Sequence, residues 1–160
     1  MQFIAMKILA AILLFPILFI PVALGQQREP SMAHHAYGTF TVDIKPLTPP
    51  PAEGLSRLSI NKKMMGDLEG STKGEMFSGG DPKQGIAGYV AIEVFTGTLA
   101  GRHGTFALQH SATMDHSGRS MSVIVVPGSG TGELRGIAGI FAITIENGQH
   151  SYDLSYTLPE

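Results

Sequence analysis

The stretch Gly97-Thr-Leu99-Ala-Gly101-Arg-His-Gly104-Thr-Phe106 decides the fold, because the chain repeats it. Gly132-Glu-Leu134-Arg-Gly136-Ile-Ala-Gly139-Ile-Phe141 matches it position for position. Gly66-Asp-Leu68-Glu-Gly70-Ser-Thr-Lys-Gly74-Glu-Met76 is a further copy with one extra residue between its second and third glycines. Each copy reads as a hairpin: a strand end, a glycine-bounded turn and a return strand. With Arg102 and His103 as the two-residue turn, Leu99 opposes Phe106 and Gly97 opposes Leu108. The same rule sets Leu134 against Phe141, and a three-residue loop, Ser71 to Lys73, sets Leu68 against Met76. The apolar pair at each hairpin base survives the insertion, which marks an inward face better than any one strand could. Asn147-Gly148 is the signal of a type I′ turn and pairs Ile145 with His150, Ile143 with Tyr152 and Phe141 with Leu154.

Around these hairpins, short apolar segments alternate with glycine and predict eight strands and no helix. They run from Tyr37 to Ile44, Leu55 to Gly66, Gly74 to Ser78, Gly88 to Leu99, Thr105 to Met114, Ser120 to Pro127 with a continuation toward Leu134, Ile140 to Glu146, and His150 to Leu158. Lys45 to Gly54, KPLTPPPAEG, is a proline-rich connection outside any central strand. Consecutive hairpins dominate, so the expected architecture is all-β: a single closed antiparallel β-barrel of about eight strands, without exposed edges.

Composition excludes several classes. The chain has 160 residues with 11 Lys plus Arg, 13 Asp plus Glu, 20 Gly and no Cys or Trp. That length allows one domain with a real core. Without cysteine there is no disulfide scaffold, zinc ribbon or thiol nucleophile. A formal charge of -2 argues against a nucleic-acid partner held through phosphates. Val126-Pro-Gly-Ser-Gly-Thr-Gly-Glu-Leu134 lacks the lysine of a phosphate loop, and Gly128-Ser129-Gly130 is too tight for a nucleophile elbow. The first of these reads as a bulged bend at a barrel corner. His34, His35, His103 and His116 have no zinc-site spacing, and no metal or cofactor is expected.

Residues 1–25 have the layout of an export signal: Lys7, an uncharged run from Ile8 to Ile20, and small residues at Ala23 and Gly25. An uncleaved membrane anchor is the rival reading, but the apolar run is short for a span and is broken by Pro16 and Pro21. The expected organisation is a signal at 1–25, a flexible leader at 26–36 and a barrel at 37–160, secreted or periplasmic and not stably inserted in a membrane after cleavage. The mature domain is mildly acidic.

The register turns Glu93 and His110 inward, diagonally across from one another, on the face that carries Phe95 and Phe106. An inward carboxylate beside an inward imidazole is costly unless paired. Three readings stand: a core network that holds register, a ligand-binding or catalytic pocket, or a slipped register that puts both groups in solvent. Tyr89, Tyr152 and Tyr156 share the face and could supply hydroxyls. On the opposite face of the same strand Val90, Ile92 and Val94 are all apolar, which indicates a covered surface, under the N-terminal segment or in a homo-oligomer.

GTLAGRHGTFALQHSATMD (Gly97 to Asp115), VVPGSGTGELRGIAG (Val125 to Gly139), KGEMFSGGDPKQGIAGYVAIEVF (Lys73 to Phe95) and HSYDLSYTLPE (His150 to Glu160) resemble the domain of unknown function 3224 family, over roughly Thr39 to Glu160. The resemblance implies a barrel similar to allene oxide cyclase, within the calycin-like barrels. It carries no reaction, cofactor or catalytic residues to transfer, and a shared fold is weak warrant for a shared function. Members of that family often look cytoplasmic, so the signal-like leader is a departure.

The function these features support is binding of a small apolar ligand in the lumen, with Glu93, His110, Tyr152, Tyr156, Tyr89, Phe95 and Phe106 as candidate contacts. The alternatives are an isomerase or cyclase that moves protons through Glu93 and His110, and a structural barrel that oligomerises. Expression of the full chain in an exporting host should yield a mature protein starting at Gln26, read by intact-mass spectrometry; an intact Met1 in the soluble fraction would refute the signal.

Overall fold

A computed structural model describes residues 33–159. The expected export signal, and the leader as far as residue 32, lie outside the described residues. The remainder is an all-β closed barrel whose eight strands follow chain order, β1-β2-β3-β4-β5-β6-β7-β8, with β8 returning to β1. The strands are β1 His34–Leu47, β2 Leu55–Gly66, β3 Leu68–Asp81, β4 Ile86–Leu99, β5 Arg102–Asp115, β6 Gly118–Val125, β7 Ala138–Glu146 and β8 Gln149–Thr157. All neighbouring pairs are antiparallel. Among the described residues no helix is long and apolar enough to cross a membrane.

The hairpin register needs correction at the repeated motif. The β4–β5 turn is Ala100-Gly101, with Leu99 opposite Arg102, so Phe106 faces Phe95 and Gly97 faces Gly104. A type I′ turn requires positive φ at both central residues, and Ala100 (φ 48°) and Gly101 (φ 83°) supply it. The slip moves the pairing by an even number of residues, so every side chain keeps its face.

The other two copies are not hairpins of this kind. Ser71 to Lys73 lie inside β3, where Lys62 pairs with Thr72, Leu68 pairs with Leu99, and Met76 pairs with Leu58 and Ala91. The chain reverses at Asp67 instead, where the Asp67 N–H donates to the Tyr37 carbonyl at 3.0 Å and a carboxylate oxygen accepts from the Tyr37 N–H at 2.8 Å. Gly132–Leu134 is a short 3-10 helix, not a strand, and Phe141 pairs with Leu154.

What most of the repeated glycines share, Gly101 of the turn apart, is close approach. Gly70, Gly97 and Gly104 stand side by side across β3, β4 and β5. A Cβ would lie 2.3 Å from the Thr96 carbonyl oxygen at Gly70, 2.1 Å from that of Glu69 at Gly97, and 2.2 Å from that of Thr131 at Gly104. The Asn147-Gly148 hairpin has its expected register, Ile145 with His150, Ile143 with Tyr152 and Phe141 with Leu154.

Strand β1 takes in His34, His35 and Ala36, which the sequence assigns to the leader, by pairing them with Tyr156, Ser155 and Leu154 of β8. It also takes in Lys45 to Leu47 from the proline-rich connection. Beyond Phe40, β1 has a ladder partner on the β2 side alone, and a one-sided strand accommodates Pro46.

Alternation sends every second residue into the barrel, and the two ends are used differently. At the β4–β5 turn end the lumen is filled: Leu68, Phe95, Leu99, Phe106, Leu108, Phe141 and Leu154 are buried, with the Phe95 and Phe106 rings 5.0 Å apart. The β6–β7 connection closes this end, inserting Leu134 and Ile137 into the core. At the opposite end Leu58, Met76, Tyr89, Met114 and Met121 face inward around free space. The β6–β7 seam is thin, with one register pair, Ile124 with Ile140. Replacing Leu134 by Ala should cost about 2–5 kcal/mol in urea unfolding, the range for a fully buried leucine; a cost under about 1 kcal/mol would show that the connection is not part of the core.

Candidate ligand-binding site

Four consecutive strands each place one polar side chain at the middle of the barrel: Lys62 on β2, Thr72 on β3, Glu93 on β4 and His110 on β5. All four are buried, at 5%, 1%, 0% and 1% exposure. Glu93 is opposite Gly74 on one side and Leu108 on the other, so its carboxylate reaches diagonally to Thr72 and His110. Gly74 makes the space, since a Cβ there would fall 2.5 Å from the Glu93 Cβ.

The carboxylate is fully used. One oxygen, Oε1, accepts from the Lys62 ammonium and from His110 Nε2, the latter at 2.7 Å; Oε2 accepts from the Thr72 hydroxyl at 2.5 Å. Thr72 Oγ1 in turn accepts the Lys62 backbone N–H at 3.1 Å. The Lys62 ammonium also lies 5.2 Å from the centre of the Phe40 ring, a cation–π distance.

Burial is the largest influence on Glu93 and pushes its pKa up. The hydrogen bond from His110, the charge of Lys62 and the bonds from Lys62 and Thr72 outweigh it and hold the carboxyl below its ordinary range. For Lys62 burial wins over the attraction of Glu93, and its pKa is lowered. An ionised carboxylate only accepts, so His110 donates through Nε2. In the neutral ring Nδ1 is then a lone pair, and it is buried without a hydrogen-bond partner. An unpaired buried acceptor costs about 1–3 kcal/mol.

Two cavities with lining residues in common lie on the open side of this cluster. An inner chamber of ≈ 270 Å³ is walled by Phe40, Val42, Ile44, Ile60, Met76, Met121, Ile143 and Ile145, with Lys62, Tyr89, His110 and His150 as its polar members. A vestibule of ≈ 490 Å³ at the mouth shares Met76, Tyr89 and Met121 with it and adds Arg119. Both are of the size and apolar character of small-ligand pockets. Ile44, Met121 and Ile145 are exposed because they line this lumen, not because they face outward. Among the described residues no group of three His, Asp or Glu side chains could hold a metal ion.

The candidate residues divide. His110 and Tyr89 form cavity wall; burial, followed by the charge of Glu93, raises the Tyr89 pKa. Glu93 lies behind the wall and reaches the chamber through His110 and Lys62. Phe95 and Phe106 pack in the filled half and line neither cavity. Tyr152 is committed to the backbone, its hydroxyl accepting from the Leu68 N–H at 2.8 Å and donating to the Met65 carbonyl at 3.2 Å. The ring of Tyr156 sits 5.4 Å from that of His34, away from both cavities. Sequence reasoning missed Lys62 and Thr72. Lys62 shares its parity with Ile60 and Met64 and was legible; Thr72 was hidden by reading Ser71 to Lys73 as a loop.

Replacing Glu93 by Gln strands the Lys62 charge and should cost about 3–5 kcal/mol in urea unfolding. The folded-state pKa of Glu93 is depressed, so its contribution is present near neutral pH and is lost as pH falls from the ordinary carboxylate range through the folded-state value. Stability of the native protein should therefore drop more steeply on acidification than that of Glu93→Gln. Parallel curves would mean that the carboxylate is not held as an ion.

A family model described as "Protein of unknown function (DUF3224)" matches residues 36–156. A crystal structure of a protein of unknown function from this family in Shewanella oneidensis MR-1 superposes with a TM-score of 0.73 at 40% identity, covering 81% of this chain and 99% of that one. No curated protein matches. A family match over most of the barrel, carried by a relative with the same fold, assigns the chain: it belongs to the DUF3224 family, whose function is unknown.

Proposed function

We propose that this protein binds a small, largely apolar ligand in the open half of its barrel, in an exported setting if residues 1–25 act as a signal. One observation carries the reading. An apolar chamber of ≈ 270 Å³ has in its wall His110, whose Nδ1 is buried and unpartnered, beside a polar cluster that is otherwise satisfied. Ligand sites combine apolar walls with a few fixed polar groups in this way. The geometry favours binding over proton transfer by Glu93, because both of its oxygens are occupied and it does not reach the chamber. Tyr152 and Tyr156 have structural places, leaving His110 and Tyr89 as the anchors.

The test uses the neutral dye N-phenylnaphthylamine and native mass spectrometry for co-purified molecules. Met76 lines both cavities, and Met76→Trp fills the junction between them. Dye affinity should fall at least about tenfold, a loss of about 1.4 kcal/mol, and any co-purified mass should disappear. Unchanged affinity in a folded Met76→Trp protein would place the dye outside the lumen and defeat the reading.

A second reading, homo-oligomerisation, is supported by the outer face of β4, where Val90 and Ile92 are 54% and 56% exposed. Phe77 on β3 lies beside Val90, and Ile124 continues the row from Ile92 through Gln109. Ile92→Lys should convert an oligomer into a monomer in light scattering; a monomeric native protein would remove this reading.

A further inference from the structure

The chamber also indicates which chemical class it takes. We propose that the ligand presents an uncharged hydrogen-bond donor, an alcohol, phenol or enol, to His110 Nδ1, and that the site discriminates against carboxylates; this rests on the lumen being a ligand site. Nε2 of His110 is committed as a donor to the Glu93 carboxylate at 2.7 Å, so the free nitrogen of the ring offers a lone pair. The charges of Lys62 and Glu93 balance, and a second proton on the ring would leave the buried cluster with an uncompensated positive charge. An acceptor in that position complements a donor.

Lys62 is the rival partner, since it lines the chamber and an ammonium would favour an anion. Its charge is cancelled by Glu93, and its head group lies over the Phe40 ring. The other polar groups that line the chamber with His110 are the Tyr89 hydroxyl and the His150 imidazole, and Arg119 lies out in the vestibule. A hydroxyl on a ligand would satisfy the atom the fold leaves unpaired, whereas a carboxylate has no donor to offer it. Sites built around a buried hydrogen bond reject analogues that cannot make it far more strongly than apolar walls reject a missing methylene.

Three probes of nearly the same shape separate the possibilities: para-pentylphenol, para-pentylanisole and para-pentylbenzoate, each displacing N-phenylnaphthylamine from the full-length protein. The phenol should bind at least about tenfold more tightly than the anisole, which lacks only the donor, and the benzoate should bind most weakly. In His110→Phe the phenol should lose its advantage, the ratio of phenol to anisole affinity falling to about one. Should that variant not fold, nitrogen NMR of histidine-labelled native protein gives the same answer. The His110 Nδ1 resonance should be that of an unprotonated nitrogen and move upfield on addition of the phenol. Equal binding of phenol and anisole, tighter binding of the benzoate, or a protonated Nδ1 would overturn the proposal while leaving the lumen a ligand site. Failure of the dye and all three probes to bind would overturn the ligand-site reading and this proposal with it.

Discussion

Everything in the lumen is arranged around one buried carboxylate. Moving an ion such as Glu93 out of water costs several kcal/mol unless its lone pairs are filled. Here Lys62, Thr72 and His110 fill them from three different strands. The compensation works only if β2, β3, β4 and β5 hold one register, because a slip of one residue would turn each of these groups to the outside. The same cluster divides the barrel. Below it, aromatic and leucine side chains form one buried core cluster. Above it, the inward positions belong to isoleucine, leucine, methionine, alanine, serine and tyrosine, which do not fill the circle.

That division explains how a barrel of eight strands can be both a packed core and a container. Eight strands enclose a space that side chains can just fill. Large residues in the half near the β4–β5 turn do so, with Leu134 and Ile137 added from the β6–β7 connection. In the other half, which receives no such insertion, the inward side chains leave the chamber and vestibule. Packed core and open space thereby lie at opposite ends, and substitutions that line the open half can be made away from the residues that hold the barrel shut.

Much of this was legible in the sequence, and the failures have physical causes. Period-two alternation placed Glu93, His110, Phe95 and Phe106 on one face, and the structure keeps all four there. Parity survives an even slip, which is why a wrong turn at Arg102-His103 did no harm to the face assignment. The glycine repeat misled, because a glycine needed for close backbone contact, such as Gly70, looks in sequence like one needed for a turn. That error cut β3 short and removed Thr72 from view. Tyr152 and Tyr156 share the face of His110, but height along the barrel axis, not parity, decides what a side chain touches. Height follows from the stagger between strands, to which alternation is blind.

The single pair that joins β6 to β7 gives the barrel a mechanical asymmetry. Every other seam is a continuous ladder, so opening one breaks many hydrogen bonds at once. At this seam Met121 stands on one side and Ile143 and Ile145 on the other, all three walls of the chamber. Fewer ladder bonds hold these two strands together than hold any other pair of neighbouring strands, which makes this seam the easiest place for local opening. The least firmly tied wall of the barrel is therefore the one that borders its open space.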